Sequence, residues 1–464
     1  VTNAIIHAQP PLDFIPERFN PWVRRLVQLG LPGWVRWQTD LVNIKVSNAD
    51  VLAQLYGDFQ VGKNRFAIAF RHPAPEDAYG MAHLLWRAVP RSAKQLGINL
   101  QPVHSHFIYD RGIPLWAGNW VGRLCSRLGG VSIQRGKLDL VALKSARQLL
   151  AHGQFPLAAA PEGGNNGHNE IVSPLEPGVS QLAFWCVDDL KKTERSEPVY
   201  IVPIGIQYRY INPPWDAIDQ LLGRLEACSG ITGPSREKFE SPELPTAQIT
   251  SLYGRLHRLA EHLLLLMEGY YQQIYGLEQP EIDGGGNAQL AVRLQHLLNG
   301  ALAVAEKYFD LRPKGSVIER CRRLEQAGWE RIFREDLRDE TTISPVERGL
   351  ADRIAEEADL RMWHMRLVES FVAVTGRYVL EKPTAERFAE TVLLLADMVT
   401  RLQGENPFPR PSLGKREALL TVGEPICVSD RWDDYQKSRR KAVASLTEEL
   451  QTSLQSLIVD SSDY

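Results

Sequence analysis

The feature that most constrains this chain is a change of rhythm near residue 210. Between about residues 43 and 210 short apolar runs alternate with amphipathic stretches; after Tyr210 the runs cease and helical periodicity takes over. FAIAF (66–70), GVSIQ (130–134), PLAAA (156–160) and VYIVPIGIQY (199–208) have the length and apolarity of buried strands. Helical patterns such as Leu140 to Ala151 lie between them. Strands separated by helices of this length cannot close as hairpins and need crossovers, so the expected fold is α/β, a mixed sheet flanked by helices.

The later part of the chain predicts a mainly helical block over 216–412. Ser316-x-x-Glu319 and Ser344-Pro345-x-Glu347 are capping boxes, the second with proline at the first helical position. Gly284-Gly285-Gly286 marks a joint within the block and ENPFPRPS (405–412) marks its end. REALLTVGEPICV (416–428) then returns to strand composition, followed by a helix from Asp433 to Leu457. A strand this late makes the helical block an insertion before the last strand. The expected divisions are an N-terminal aromatic and basic segment (1–42), an α/β domain (43–215), the insertion (216–412), and a strand and helix completing the first domain (413–464).

No window approaches the roughly 20 apolar residues that a spanning helix needs, and the apolar run around His262 to Met267 is short and flanked by charge. The N-terminus lacks the pattern of a secretory signal, so an unprocessed chain is expected. Cys125, Cys186, Cys228, Cys321 and Cys427 are scattered, without a C-x-x-C pair or a neighbouring His at ligand spacing, so neither a disulfide framework nor a metal site is expected. The formal charge of −3 disfavours nucleic acid, yet residues 61–150 carry 13 Lys and Arg against four acids, leaving −12 for the remainder. A segment at +9 attracts anionic ligands, whether a phosphorylated molecule, a lipid surface or an acidic carrier protein. FIPERFNPWVRRLVQLGLPGWVRW (14–37) sets five aromatics among Arg18, Arg24, Arg25 and Arg36, a composition suited to a membrane interface as well as to ordinary packing.

Four short motifs carry candidate chemistry. Arg71-His72-Pro73-Ala74-Pro75-Glu76-Asp77 ends the FAIAF strand and sets a His and an Asp five positions apart. The prolines disfavour regular helix between them, so a turn can bring the carboxylate to the imidazole. Asp77 would fix the tautomer of His72, leaving the other ring nitrogen to take a proton from a hydroxyl. Gly130 to Arg135 is a strand ending in an arginine suited to phosphate. Ala160-Pro161-Glu162-Gly163-Gly164-Asn165 is a glycine-rich turn whose amides can approach a ligand, while Glu162 can accept from substrate hydroxyls or orient an arginine. Val202-Pro203-Ile204 places a proline inside a strand run, the mark of an edge or bulge lining a cleft.

In this order the four motifs resemble the sequence blocks of the glycerol-3-phosphate and 1-acylglycerol-3-phosphate (lysophosphatidate) acyltransferase family, N-H-x4-D, G-x-I-x-I-x-R, F-P-E-G-T-R-S and V-P-[IV]. The resemblance covers roughly 40–215 and 415–460 and leaves the helical block unaccounted for. It implies an O-acyltransferase with His72 as general base, Asp77 as its partner, Arg135, Glu162 and Gly163 holding the acceptor, and Pro203 shaping the pocket. The donor would be acyl-CoA or acyl-carrier protein and the acceptor a lyso-glycerolipid, most simply 1-acyl-sn-glycerol-3-phosphate. No cofactor is implied, and the enzyme would work in the cytoplasm at a membrane surface.

Two departures bear on the acceptor. Arg71 stands where the family has Asn, and Gly164 and Asn165 stand where it has Thr and a phosphate-binding Arg. Arg71, beside His72, is the candidate to replace that arginine. Two alternatives remain: the same chemistry on another alcohol, and a catalytically silent, membrane-associated interaction protein.

Overall fold

The computed structural model describes residues 6–134, 139–232, 246–280, 287–339, 343–369 and 377–459. The chain divides into two compact units, one formed by residues 13–211 and 415–464, the other by 1–12 and 212–414. The first begins with α1 (Pro21–Gln38), β1 (Leu41–Ser47), α2 (Ala49–Gln60), β2 (Arg65–Phe70) and α3 (Asp77–His83). α3 runs through a π-helical turn (Leu84–Ala88) into α4 (Val89–Gln95), followed by β3 (His106–Asp110), α5 (Ile113–Ala117), α6 (Asn119–Arg127) and β4 (Gly130–Ile133). Then come α7 (Leu140–His152), β5 (Leu157–Ala159), α8 (Gly178–Lys192) and β6 (Val199–Tyr210).

Helices α9 (Trp215–Cys228), α10 (Thr246–Tyr275), α11 (Asn287–Tyr308), α12 (Val317–Ile332), α13 (Pro345–Glu369), α14 (Tyr378–Glu381) and α15 (Ala385–Leu402) belong to the second unit. β7 (Arg416–Val422), β8 (Ile426–Cys427), α16 (Trp432–Lys437) and α17 (Arg439–Ser456) complete the first.

The sheet among the described residues has eight strands in the order β1-β7-β6-β2-β5-β3-β4, with β8 also pairing β6. β2, β3, β4, β5 and β6 are joined by parallel pairings, whereas β7 and β8 run antiparallel to β6, so the sheet is mixed. The period-two alternation of β2 explains its unbroken apolarity. Phe66 and Ile68 enter a core with Leu52, Tyr56 and Phe59 of α2 and Met81 of α3. Ala67 and Ala69 enter the opposite core, with Leu150 of α7, Leu182 and Val187 of α8, and Leu446 and Leu450 of α17. A strand covered on both faces has no solvent side on which a polar residue would be favoured.

In the helical unit α10 buries Leu252, Leu256, Leu259, Leu263, Met267 and Tyr271, spaced three or four apart along one stripe. Both capping boxes form: Ser316 accepts from Glu319 N at 3.3 Å while Glu319 accepts from Ser316 N at 2.7 Å, and Ser344 and Glu347 do the same at 3.2 and 2.8 Å. Gly284–Gly286 lies outside the described residues.

Several boundaries differ from those expected. Residues 1–42 are not one segment: Gln9 bridges to the residues after α12, with Gln9 N donating to Ile332 O at 2.7 Å and Arg334 N to Gln9 O at 2.8 Å, while α1 belongs to the sheet unit. The late strand is two strands, broken at Gly423-Glu424-Pro425, and the final helix is interrupted at Ser438. No helix of the described residues is long and apolar enough to cross a membrane.

Candidate active site

Because β2 to β6 run parallel, the turns after β2, β3, β4 and β5 leave the same edge of the sheet. β5 and β6, consecutive strands, lie on opposite sides of β2. Outside the carboxyl end of such a strand no connection fills the space, and open α/β sheets bind ligands there. His72 follows β2 at this position.

The turn from Arg71 to Glu76 folds Asp77 back onto His72, with Nδ1 to Oδ2 at 2.8 Å. The same Oδ2 accepts from Ala74 N at 3.1 Å. Asp77 is fully buried, whereas the His72 side chain is 31% exposed. An acceptor carboxylate at Nδ1 requires that nitrogen to carry the proton, so Nε2 presents a lone pair.

The other oxygen of Asp77 has a partner that the sequence reading missed. Tyr208 Oη donates to Oδ1 at 2.6 Å from 131 positions away. β6 extends six residues beyond Ile204, the partner of Phe70 at the end of β2, and the fourth of them, Tyr208, reaches the turn. Burial and the neighbouring Asp77 raise the Tyr208 phenol well above its ordinary value, so it stays a donor. Burial pushes the Asp77 carboxyl up from the usual carboxylate range, against the hydrogen bonds from His72, Tyr208 and Ala74.

Arg71 and Glu162 clasp the turn after β5 onto the turn after β2. Arg71 is fully buried and donates to Asn169 O, to His168 O at 3.1 Å and to Ile171 O at 2.7 Å. Glu162 accepts from His72 N at 2.8 Å, and from Asn166 Nδ2 and Ser173 N at 2.9 Å each. The two side chains face one another, Nε to Oε1 at 3.8 Å, both without solvent exposure. One expectation is corrected here. Arg71 does not take the role of a phosphate ligand, because its guanidinium is committed to backbone carbonyls in the interior. Glu162 holds the backbone of His72 and lies opposite Arg71. Gly163 follows at φ +72°, a left-handed conformation in which a side chain would be strained.

Arg135 lies outside the described residues, so its side chain is not placed. Beside that segment Asp139 caps α7 through Ala142 N at 3.2 Å, accepts from Gln134 N at 3.0 Å, and pairs with buried Arg111. Pro203 is buried but marks no sheet edge, since β6 has neighbours on both sides. Its missing N–H is harmless because β7 has ended and β8 has not begun at that level; Gly423 N donates to Pro203 O at 2.9 Å across the break.

Among the described residues no cluster of three His, Cys, Asp or Glu is arranged for a metal ion. A shallow cleft lined by Pro90, Lys94 and the turn from Gly97 to Val103 includes none of the residues around His72. No family model, no curated protein and no solved structure matches this chain.

Proposed function

We propose that this chain is an O-acyltransferase in which His72, steered by Asp77, takes the proton of an alcohol as the alcohol oxygen attacks an acyl thioester. The donor is acyl-CoA or acyl-carrier protein and the acceptor a lyso-glycerolipid, 1-acyl-sn-glycerol-3-phosphate in the simplest case. In this reading the fold is glycerolipid acyltransferase-like, the helical unit is an insertion before β7, and the enzyme works peripherally at the cytoplasmic face of a membrane. The observation that carries the proposal is the dyad itself: a partly exposed imidazole bound through Nδ1 to a fully buried carboxylate at the carboxyl edge of the sheet. The order of the four motifs along the chain supports the reaction class.

The chemistry balances without an acyl-enzyme. The acceptor oxygen forms a bond to the carbonyl carbon, giving a tetrahedral oxyanion; its proton passes to Nε2 of His72. Collapse breaks the C–S bond, and the same proton goes to the departing thiolate. His72 thus ends as it began, and the protein contributes positioning and proton transfer. Neutralising the imidazolium during the intermediate is the task of Asp77.

The purified chain, incubated with labelled acyl-CoA or acyl-carrier protein and a panel of lyso-lipids, should form acylated product. His72→Ala should lose about 10²–10⁴-fold in turnover while keeping its fold. Near-wild-type turnover in that variant would reject the assigned base, and no product with any acceptor would favour a silent interaction protein. The interior placement of Arg71 favours a second acceptor class, an alcohol without a phosphomonoester, since that guanidinium is spent on carbonyls. The acceptor panel separates the two classes directly.

A further inference from the structure

We propose that the outer face of α1 docks in the interfacial layer of an anionic lipid bilayer. The helix is firmly started: Asn20 accepts from Trp22 N at 2.9 Å and Val23 N at 3.2 Å, and Pro21 occupies the first position. Its inner face buries Arg24 and Val35 and sets Trp34 edge-on to Tyr79 at 5.2 Å. Its outer face is a line of apolar residues in solvent: Trp22 is 69% exposed, Leu26 70%, Leu29 80% and Trp37 79%. Gly30 and Gly33 lie among them with open space where a Cβ would stand, so no bulky side chain covers the row.

A single exposed leucine needs no explanation, whereas a continuous row of leucine and tryptophan marks a docking face. Charge identifies the occupant. Arg25 and Arg36 are exposed on the same helix, Arg25 lying over the Trp22 ring at 5.2 Å, and no acid occurs from Asn20 to Thr39. A second copy of the helix would bring arginines against arginines. Anionic headgroups complement them, with indole rings at headgroup depth and the leucines below. Pro32 and the modest length of α1 fit a helix that lies on a bilayer, not one that crosses it.

The proposal stands independently of acyl transfer, because binding is read without substrate. The full chain is sedimented with vesicles of phosphatidylcholine alone and of equal parts phosphatidylcholine and phosphatidylglycerol. The expected result is binding to the anionic vesicles that falls about tenfold or more in Arg25→Gln/Arg36→Gln and in Leu26→Gln/Leu29→Gln, while His72→Ala binds like the wild type. Circular dichroism checks that both double variants remain folded. Equal binding by the wild type and both double variants, or no vesicle binding at all, would overturn the proposal. So would a lipid-independent dimer, seen by sedimentation velocity and abolished by Leu26→Gln/Leu29→Gln, which would make the occupant another copy.

Discussion

Removing one hydroxyl, in Tyr208→Phe, tests whether the dyad behaves as a proton-holding unit. Tyr208 Oη donates at 2.6 Å to a carboxylate with no solvent access, and Phe leaves that oxygen without its donor. A hydrogen bond to a charged group contributes about 1.5–3 kcal/mol. Its loss removes that stabilisation from the charged form and so raises the proton affinity of the Asp77 carboxylate. In the proposed reaction the active form carries one proton, on Nδ1, and a second proton on the pair disables the base. The sign follows: the donor from Tyr208 opposes the upward push of burial on Asp77, so its removal moves the acid limb of the kcat/KM–pH profile upward. Activity lost near neutrality should therefore recover under alkaline conditions. The assay is acyl transfer across pH in both proteins, with thermal melts to show that folding is retained. A uniform loss at every pH, or an unshifted acid limb, would refute the reasoning and reduce Tyr208 to packing.

The clasp and the turn beside it give three further expectations. Glu162→Gln removes the charge that balances buried Arg71 and turns an amide donor toward Ser173 N or Asn166 Nδ2, so it should cost about 3–5 kcal/mol in urea unfolding. Combined with Arg71→Met it should cost less than the sum of the single variants, since neither charge is then left alone. Gly163→Ala should lose about 1–2 kcal/mol, because its φ of +72° is strained for any residue with a Cβ; an unchanged denaturation midpoint would show that the turn relaxes freely.

Legibility in the sequence followed the range of each interaction. β2 and β6 announced themselves because burial on both faces leaves an uninterrupted apolar run. β1 did not: LVNIKVS is half-exposed and mixes Asn, Lys and Ser with its apolar residues. β3, HFIYD, begins and ends on polar residues and was equally hidden. His72 and Asp77 were legible because only a four-residue turn separates them. Tyr208 was invisible, since its hydroxyl reaches Asp77 from 131 positions away. Arg71 was misread for the same reason: adjacency to His72 is local, while the carbonyls it satisfies arrive from a loop about a hundred positions on. Pro203 looked like an edge residue because a proline inside a strand run lacks a ladder donor; the gap between β7 and β8 that accommodates it is made by a distant segment.

The strand order also dictates a sequence of assembly. Among the described residues β1 pairs only with β7. During synthesis residues 41–47 therefore have no ladder until the chain beyond residue 416 has emerged, and until then β6 offers its flank to any extended segment nearby. A chain stopped just short of β7 would have most of its residues and both dyad members, yet would leave β1 without a neighbour and the sheet open beside Tyr208.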